Sequence, residues 1–396
     1  MFSAMNCPLD ASSGAAISIR TFLEHFARHG VDVQSFSAGV YDRPPFATPT
    51  ESIRSTGALP VAEPGHPQNL WICEKGGVRH NIVLTASMNY KQLKRDEYQR
   101  VFTRALEFIR NYEPDVLLLY GGSPYERSLL KYAREHNIAT VFYLVNPGYR
   151  DITNFQHVDM FVTDSAATRD LFKERFGIAL EVVGKFVEQP VVPPGADTRE
   201  FVTFINPTPE KGLTLFYRIV ELAAEVLPEA RFLVVESRGH LATAESEMGM
   251  HFGQFGNLTR VGLQRDMGAV FGATRILLVP SLWHDSGPRV SVEALSLGIP
   301  AIVSDRGGLP ELVGDAGIVI PPPAPLVTNH RLIPPLSQAI PWVEAIRLLT
   351  SDDQLYEQFR TRARAQWEAH DPDLRLPGII EKIETLVASK KTDAAS

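Results

Sequence analysis

The sequence predicts an α/β protein built from two doubly wound, Rossmann-like domains. Three observations carry that expectation. Apolar runs of strand length alternate with segments of helical periodicity through both halves of the chain. A proline-rich stretch, Gln189 to Pro194, breaks both patterns near the middle, because Pro190, Pro193 and Pro194 continue neither a helix nor a central strand. A chain of 396 residues, at roughly 100 to 200 per domain, suits two domains that each bury a core.

In the first half, Val31 to Phe36, Asp115 to Tyr120, Thr140 to Val145 and Met160 to Thr163 read as buried parallel strands. The first helix places Ile19, Phe22, Leu23 and Phe26 at i, i+3, i+4 and i+7. Ser12 or Ser13 caps its start, Gly30 closes its end, and its opening Gly14-Ala15-Ala16 is unusually small. In the second half the strands are Phe201 to Ile205, Arg231 to Val235, Arg275 to Val279, Ala301 to Ser304 and Ile318 to Ile320. Leu213, Phe216, Val220 and Ala223 form a helical stripe between the first two. Asp42 to Pro67 and Pro321 to Pro335 show neither periodicity and read as long loops. Helices fill Trp342 to Glu368 and Leu376 to Val387. The expected domains are 1–187 and 188–370, followed by a terminal helical segment, 371–396.

Composition narrows the function. Lys and Arg number 39 against 46 Asp and Glu, a net charge of −7, which argues against a general nucleic-acid binder. Cys7 and Cys73 alone build neither a disulfide framework nor a thiolate zinc cluster and suit a reducing cytoplasm. Met1 to Asp10 lack the pattern of a signal peptide, and no stretch approaches the ~20 apolar residues of a membrane span, so the expected location is cytoplasmic. His25 and His29 stand at i, i+4 with no third ligand in sequence and read as a surface pair. Asp371-Pro372-Asp373 reads as a helix cap. Lys91, Lys94, Arg95, Arg100, Arg104 and Arg110 give one helix a basic face, either solvated or able to lean on anionic lipid at the inner face of the membrane. No Ser-His-Asp order, Gly-Lys-Ser/Thr phosphate loop or Gly-x-Gly-x-x-Gly follows a strand, so hydrolase and oxidoreductase readings have no support.

Chemistry concentrates between Leu278 and Pro323. Strand, turn, short helix, Gly298 and Pro300, strand, Gly307-Gly308, short helix and strand succeed one another there, with loops at the carboxyl ends of strands where ligands bind in doubly wound domains. Asp285 lies in the first turn and Glu293 on the helix after it. Eight residues of helix rise about 12 Å, enough for two carboxylates to reach opposite ends of a nucleotide-sugar. The amides of Ser286 and Gly287 would face phosphates at the helix start. The plainer alternative is that Asp285 caps the helix and Glu293 sits in solvent.

The segment resembles the donor-sugar motif of family 4 glycosyltransferases, retaining enzymes of GT-B fold, in Glu293, Gly298, Pro300, Ser304, Gly307, Gly308, Pro310 and Glu311. It departs at the first acid, here Asp285, and at Pro288, where the family has glycine. Phe204 to Gly212 resembles the family's Gly-Arg-Leu to Glu-Lys-Gly turn, with Lys211 present and Asn206 in the place of the arginine that helps neutralise the diphosphate. Arg238 and Arg289 are candidates to restore that charge. Ser12 to Ala16 occupies the position of the family's glycine-rich loop, so Ser13, Gly14 and Ala15, with Asn146 after the Thr140 strand, are the expected acceptor-side residues.

The resemblance implies two domains facing across a cleft, with the last helix crossing back to the first. It implies transfer of a sugar from a nucleoside-diphosphate donor to a saccharide or lipid-linked acceptor in polysaccharide or glycolipid biosynthesis, with no metal or other cofactor. Glu293 would hold the ribose, Asp285 the sugar hydroxyls, Lys211 the diphosphate and the Gly307 and Gly308 amides the donor. The rivals are a degenerate nucleotide-sugar or partner binder and a sugar-nucleotide epimerase of the same fold.

Overall fold

The computed structural model describes residues 1–62, 69–237, 239–264 and 266–395. The chain forms two compact units. The first comprises Met1–Thr163, Phe172–Phe186 and Pro372–Ser396, the second Asp164–Leu171 and Val187–Asp371.

The sheet of the first unit contains β1 (Phe2–Asn6), β2 (Gln34–Val40), β3 (Leu59–Val61), β4 (Leu70–Lys75), β5 (Val78–Val83), β6 (Val116–Leu119), β7 (Ala139–Tyr143), β8 (Met160–Thr163) and β9 (Glu181–Val182) in the order β3-β4-β5-β2-β1-β6-β7-β8-β9. Pairing is parallel except at β3-β4 and β4-β5. The central strand β1 escapes a periodicity reading because Ser3 and Asn6 interrupt its apolar run. Ser3 is nonetheless buried, donating from Oγ to the Phe36 carbonyl at 3.2 Å. The β4-β5 hairpin turns on Gly76-Gly77, both with positive φ, the Gly-Gly signal of a tight hairpin. The helices are α1 (Gly14–Arg28), α2 (Pro49–Arg54), α3 (Arg95–Tyr112) and α4 (Pro124–Glu135), while α5 (Ala166–Phe176) has residues 166–171 in the second unit and 172–176 in the first. The stretch 42–67 expected as a loop therefore holds α2 and β3; Pro49 starts the helix, and Thr48 caps it by accepting from the Glu51 amide. Lys91 sits in a short 3-10 turn ahead of α3 rather than on it.

The second unit has an all-parallel sheet of β10 (Phe201–Ile205), β11 (Arg231–Val235), β12 (Leu258–Val261), β13 (Thr274–Val279), β14 (Ala301–Ser304) and β15 (Gly317–Ile320), ordered β12-β11-β10-β13-β14-β15. Strand order reverses between β10 and β13, the topological switch point where such sheets open a crevice for ligands. The helices are α6 (Leu213–Val226), α7 (Leu241–Met248), α8 (Gly268–Ala273), α9 (Arg289–Ser296), α10 (Leu309–Val313), α11 (Ala324–Thr328), α12 (Ile340–Ser351) and α13 (Asp353–Ala369). Here too an expected loop, 321–335, contains a helix, α11, which buries Leu326 in the core with Phe216 and Trp342.

The last helix, α14 (Pro372–Ala395), packs in the first unit, where Leu376 and Ile379 join Phe22 and Phe186 in the core. Its Asp373 corrects one expectation: the carboxylate meets His25 Nδ1 at 2.6 Å and His29 Nε2 at 3.2 Å, and His25, 5% exposed, is no surface group. Partial burial pushes the Asp373 carboxyl up, but the hydrogen bonds and charge of the two histidines outweigh it and hold it below its ordinary value. A depressed carboxyl contributes stability above its unfolded pKa of about 3.9 and loses it as the pH falls through the folded value. Asp373→Ala is thus expected to cost on the order of 1 kcal/mol or less at pH 7, the side chain being 43% exposed. The difference from the wild type, read from urea unfolding, should shrink below pH 4; a difference that grows on acidification would contradict the latch.

Candidate active site

The loops after β10, β13 and β14 converge at the switch point of the second sheet. Gly212, with φ of +86°, turns the chain from the Pro209–Lys211 3-10 turn into α6, and a Cβ there would overlap the Pro280 carbonyl oxygen. This close approach sets Lys211 against the β13 loop. Its Nζ meets Asp285 Oδ1 at 2.5 Å, while Ser281 Oγ donates to Asp285 Oδ2 at 2.7 Å. The Glu210 carbonyl accepts from the Leu282 and Trp283 amides at 2.9 and 3.1 Å, tying the two loops together.

Both plain readings of the carboxylate pair fail. Pro288 is the N-cap of α9, which has no side-chain cap hydrogen bond, so Asp285 does not cap it. Proline does no harm there, since an N-cap amide takes no part in the intrahelical ladder. Glu293 is 5% exposed and ion-pairs with Arg289. The double glycine abuts the acid: Gly308 N donates to the Asp285 carbonyl at 2.7 Å, and Cβ atoms at Gly307 and Gly308 would overlap the carbonyl oxygens of Asp285 and Ser286.

The structure thus gathers Lys211, Asp285, Ser286, Gly307 and Gly308. Gly287 sits beside them, its Cβ position 2.9 Å from that of Asp164. Asn206 lies elsewhere in purpose: in left-handed conformation (φ +63°), which Asn tolerates, it accepts from the Gly239 amide at 3.1 Å and shapes the turn after β10. Arg289 is committed to Glu293, and Arg238 lies outside the described residues. In the first unit, Ser13 caps α1 by accepting from the Ala16 amide at 3.5 Å, and Gly14 and Ala15 are exposed at the helix start. Asn146, exposed after β7, accepts from the Gly148 amide at 2.8 Å.

Sequence reasoning missed several partners. Asp10, 3% exposed, orders the loop before α1 by accepting from Ser12 N at 2.8 Å and Asp42 N at 2.7 Å. In the same loop burial pushes the Cys7 thiol up to about 12, which disqualifies it as a nucleophile. Glu311 was visible only as a motif letter, and Ser281, the partner of Asp285, carried no sequence signal. Glu311 accepts from Ala166 N at 2.8 Å and Ala167 N at 3.3 Å, capping α5. That cap, with Ser165 against Gly308, groups 164–171 with the second unit, where the expectation of a first domain 1–187 had put them in the first. Among the described residues no cluster of three metal-ligating side chains occurs.

Residues 192–366, from the linker through nearly all of α13, match the family described as glycosyl transferases group 1. The match lies almost wholly within the second unit. Solved structures resemble the chain over nearly its whole length. Sucrose-phosphate synthase from Thermosynechococcus elongatus is 14% identical, with 97% of this chain and 99% of that one covered and a TM-score of 0.68. HepE of Anabaena, in complex with UDP and glucose, is 14% identical over 97% and 98% at a TM-score of 0.66. The α,α-trehalose 6-phosphate synthase of Burkholderia multivorans is 14% identical over 99% and 96% at 0.60. These likenesses establish the shared two-domain GT-B fold. No curated protein matches the sequence.

Proposed function

We propose that the protein transfers a hexose-type sugar from a nucleoside-diphosphate sugar to a saccharide or lipid-linked acceptor, with retention at the anomeric carbon, in polysaccharide or glycolipid synthesis. The observation that carries this reading is the Lys211–Asp285–Ser281 knot at the switch point, inside the segment that matches the glycosyltransferase family. Lys211 stands ready to exchange Asp285 for the diphosphate, leaving the aspartate, held by Ser281, to take sugar hydroxyls. Glu293, one helix length away, takes the ribose. In the transfer, the bond from the anomeric carbon to the β-phosphate oxygen breaks and its electron pair leaves with the diphosphate. The acceptor oxygen bonds to the same face, and its proton passes to the departing phosphate. An ammonium fixed where that charge grows lowers the barrier more than it binds the ground state, so we propose that the site works without a metal.

HepE was solved with UDP and glucose, which supports UDP-glucose as the first donor to try. The decisive assay incubates the protein with UDP-, GDP- and ADP-sugars, alone and with saccharide and lipid-linked acceptors, and measures nucleoside diphosphate release with and without EDTA. Release that depends on acceptor and withstands EDTA is expected. Binding without release under every condition would favour the degenerate reading, and conversion of one sugar nucleotide into another the epimerase. Among the described residues no helix is long and apolar enough to cross a membrane. The exposed Lys94, Arg95, Arg100 and Arg110 of α3 and the turn before it support a cytoplasmic enzyme in peripheral contact with anionic lipid.

A further inference from the structure

We propose that Arg306 is the second cation of the donor site and binds the β-phosphate of the nucleoside diphosphate, the charge that Asn206 cannot supply. The inference rests on the donor reading above. Three neighbouring parallel strands, β10, β13 and β14, end in the loops that carry Lys211, Asp285 and Arg306. Leu282 joins the outer two: its amide donates to the carbonyl of Glu210, next to Lys211, and its own carbonyl accepts from Arg306 Nε at 3.2 Å. The following Gly308 is bonded to the Asp285 carbonyl, so Arg306 and the acid belong to one backbone knot.

The charges on these loops are unequally spent. Lys211 pairs with Asp285 and Arg289 with Glu293. Arg306 pairs with no carboxylate among the described residues; only its Nε is engaged, by a neutral carbonyl. A half-buried guanidinium anchored through Nε presents its two Nη groups as a planar fork, the geometry that takes two phosphate oxygens at once. Arg289 cannot serve equally without surrendering Glu293, which the ribose requires. Placed across β13 from Lys211, Arg306 lets two cations share a diphosphate at the switch point, whereas a monophosphate has no second phosphoryl group to occupy the second of them.

That difference supplies the test. Isothermal titration calorimetry would measure UDP against UMP, GDP against GMP and ADP against AMP for the wild type and for Arg306→Gln, whose amide still donates to the Leu282 carbonyl. The wild type is expected to prefer one diphosphate over its monophosphate. Arg306→Gln should weaken that diphosphate by about 10- to 100-fold, the range of charged hydrogen bonds, and change the monophosphate by about twofold or less, within the effect of an ordinary surface substitution. Arg306→Lys should recover part of the loss, as a point charge without the fork. An unchanged diphosphate-to-monophosphate ratio in Arg306→Gln, or equal loss of both ligands, overturns the assignment and leaves the donor site standing. Should the Gln variant not fold, the Lys variant decides: selective loss of diphosphate supports Arg306, and an unchanged ratio overturns it. A wild type that binds none of the three diphosphates overturns the donor reading itself.

Discussion

Lys211→Ala is expected to lower kcat/KM by about 100- to 1000-fold, the loss seen when one preorganised donor to a developing anion is removed. The loss should fall mainly on kcat, because the lysine meets more negative charge in the transition state than in the bound donor. The substitution also strips the buried Asp285, 9% exposed, of its cation, leaving Ser281 as its remaining side-chain partner. Uncompensated burial of that kind destabilises, so the double variant Lys211→Ala/Asp285→Asn separates the two effects. It should regain thermal stability relative to Lys211→Ala while remaining inactive. A single variant that keeps normal kcat would remove Lys211 from the chemistry.

Gly212→Ala carries the largest expected effect on folding. Gly212 has φ of +86°, and a Cβ there would overlap the Pro280 carbonyl oxygen. Left-handed strain and a steric clash with backbone that cannot swing aside add to about 3 kcal/mol or more. The relaxation that relieves the clash must also pull Lys211 away from Asp285, so activity should fall further than stability alone explains. Gly253→Ala is the control, since a Cβ there meets nothing within 4 Å and its φ is not positive. Urea denaturation of both variants checks this; a loss below about 1 kcal/mol for Gly212→Ala, within ordinary substitution effects, would mean that the turn does not enforce the approach.

The second unit was the more legible half. Phe201–Ile205, Arg231–Val235 and Ala301–Ser304 have the expected boundaries because strands covered on both faces are continuously apolar. The first unit hid its central strand, whose Ser3 is satisfied by the Phe36 carbonyl on the neighbouring strand, and such pairing is invisible to periodicity. The β4-β5 hairpin had a readable Gly76-Gly77 turn that flanking polar residues obscured.

For the site, residue types at fixed spacing in one chain segment determined the candidates: Asp285, Glu293, the double glycine, and Lys211 before its own glycine. Local order suffices there because a loop and the helix after it keep their relative reach. What only tertiary structure decided is which charges meet. Asp285 pairs with Lys211 across 74 residues, Asp373 with His25 across 348, and Glu311 caps a helix that starts 145 residues earlier. Arg306 meets a neutral carbonyl, that of Leu282, rather than a carboxylate. Charge pairing follows distance in space, and strand order, which a linear pattern does not encode, sets that distance.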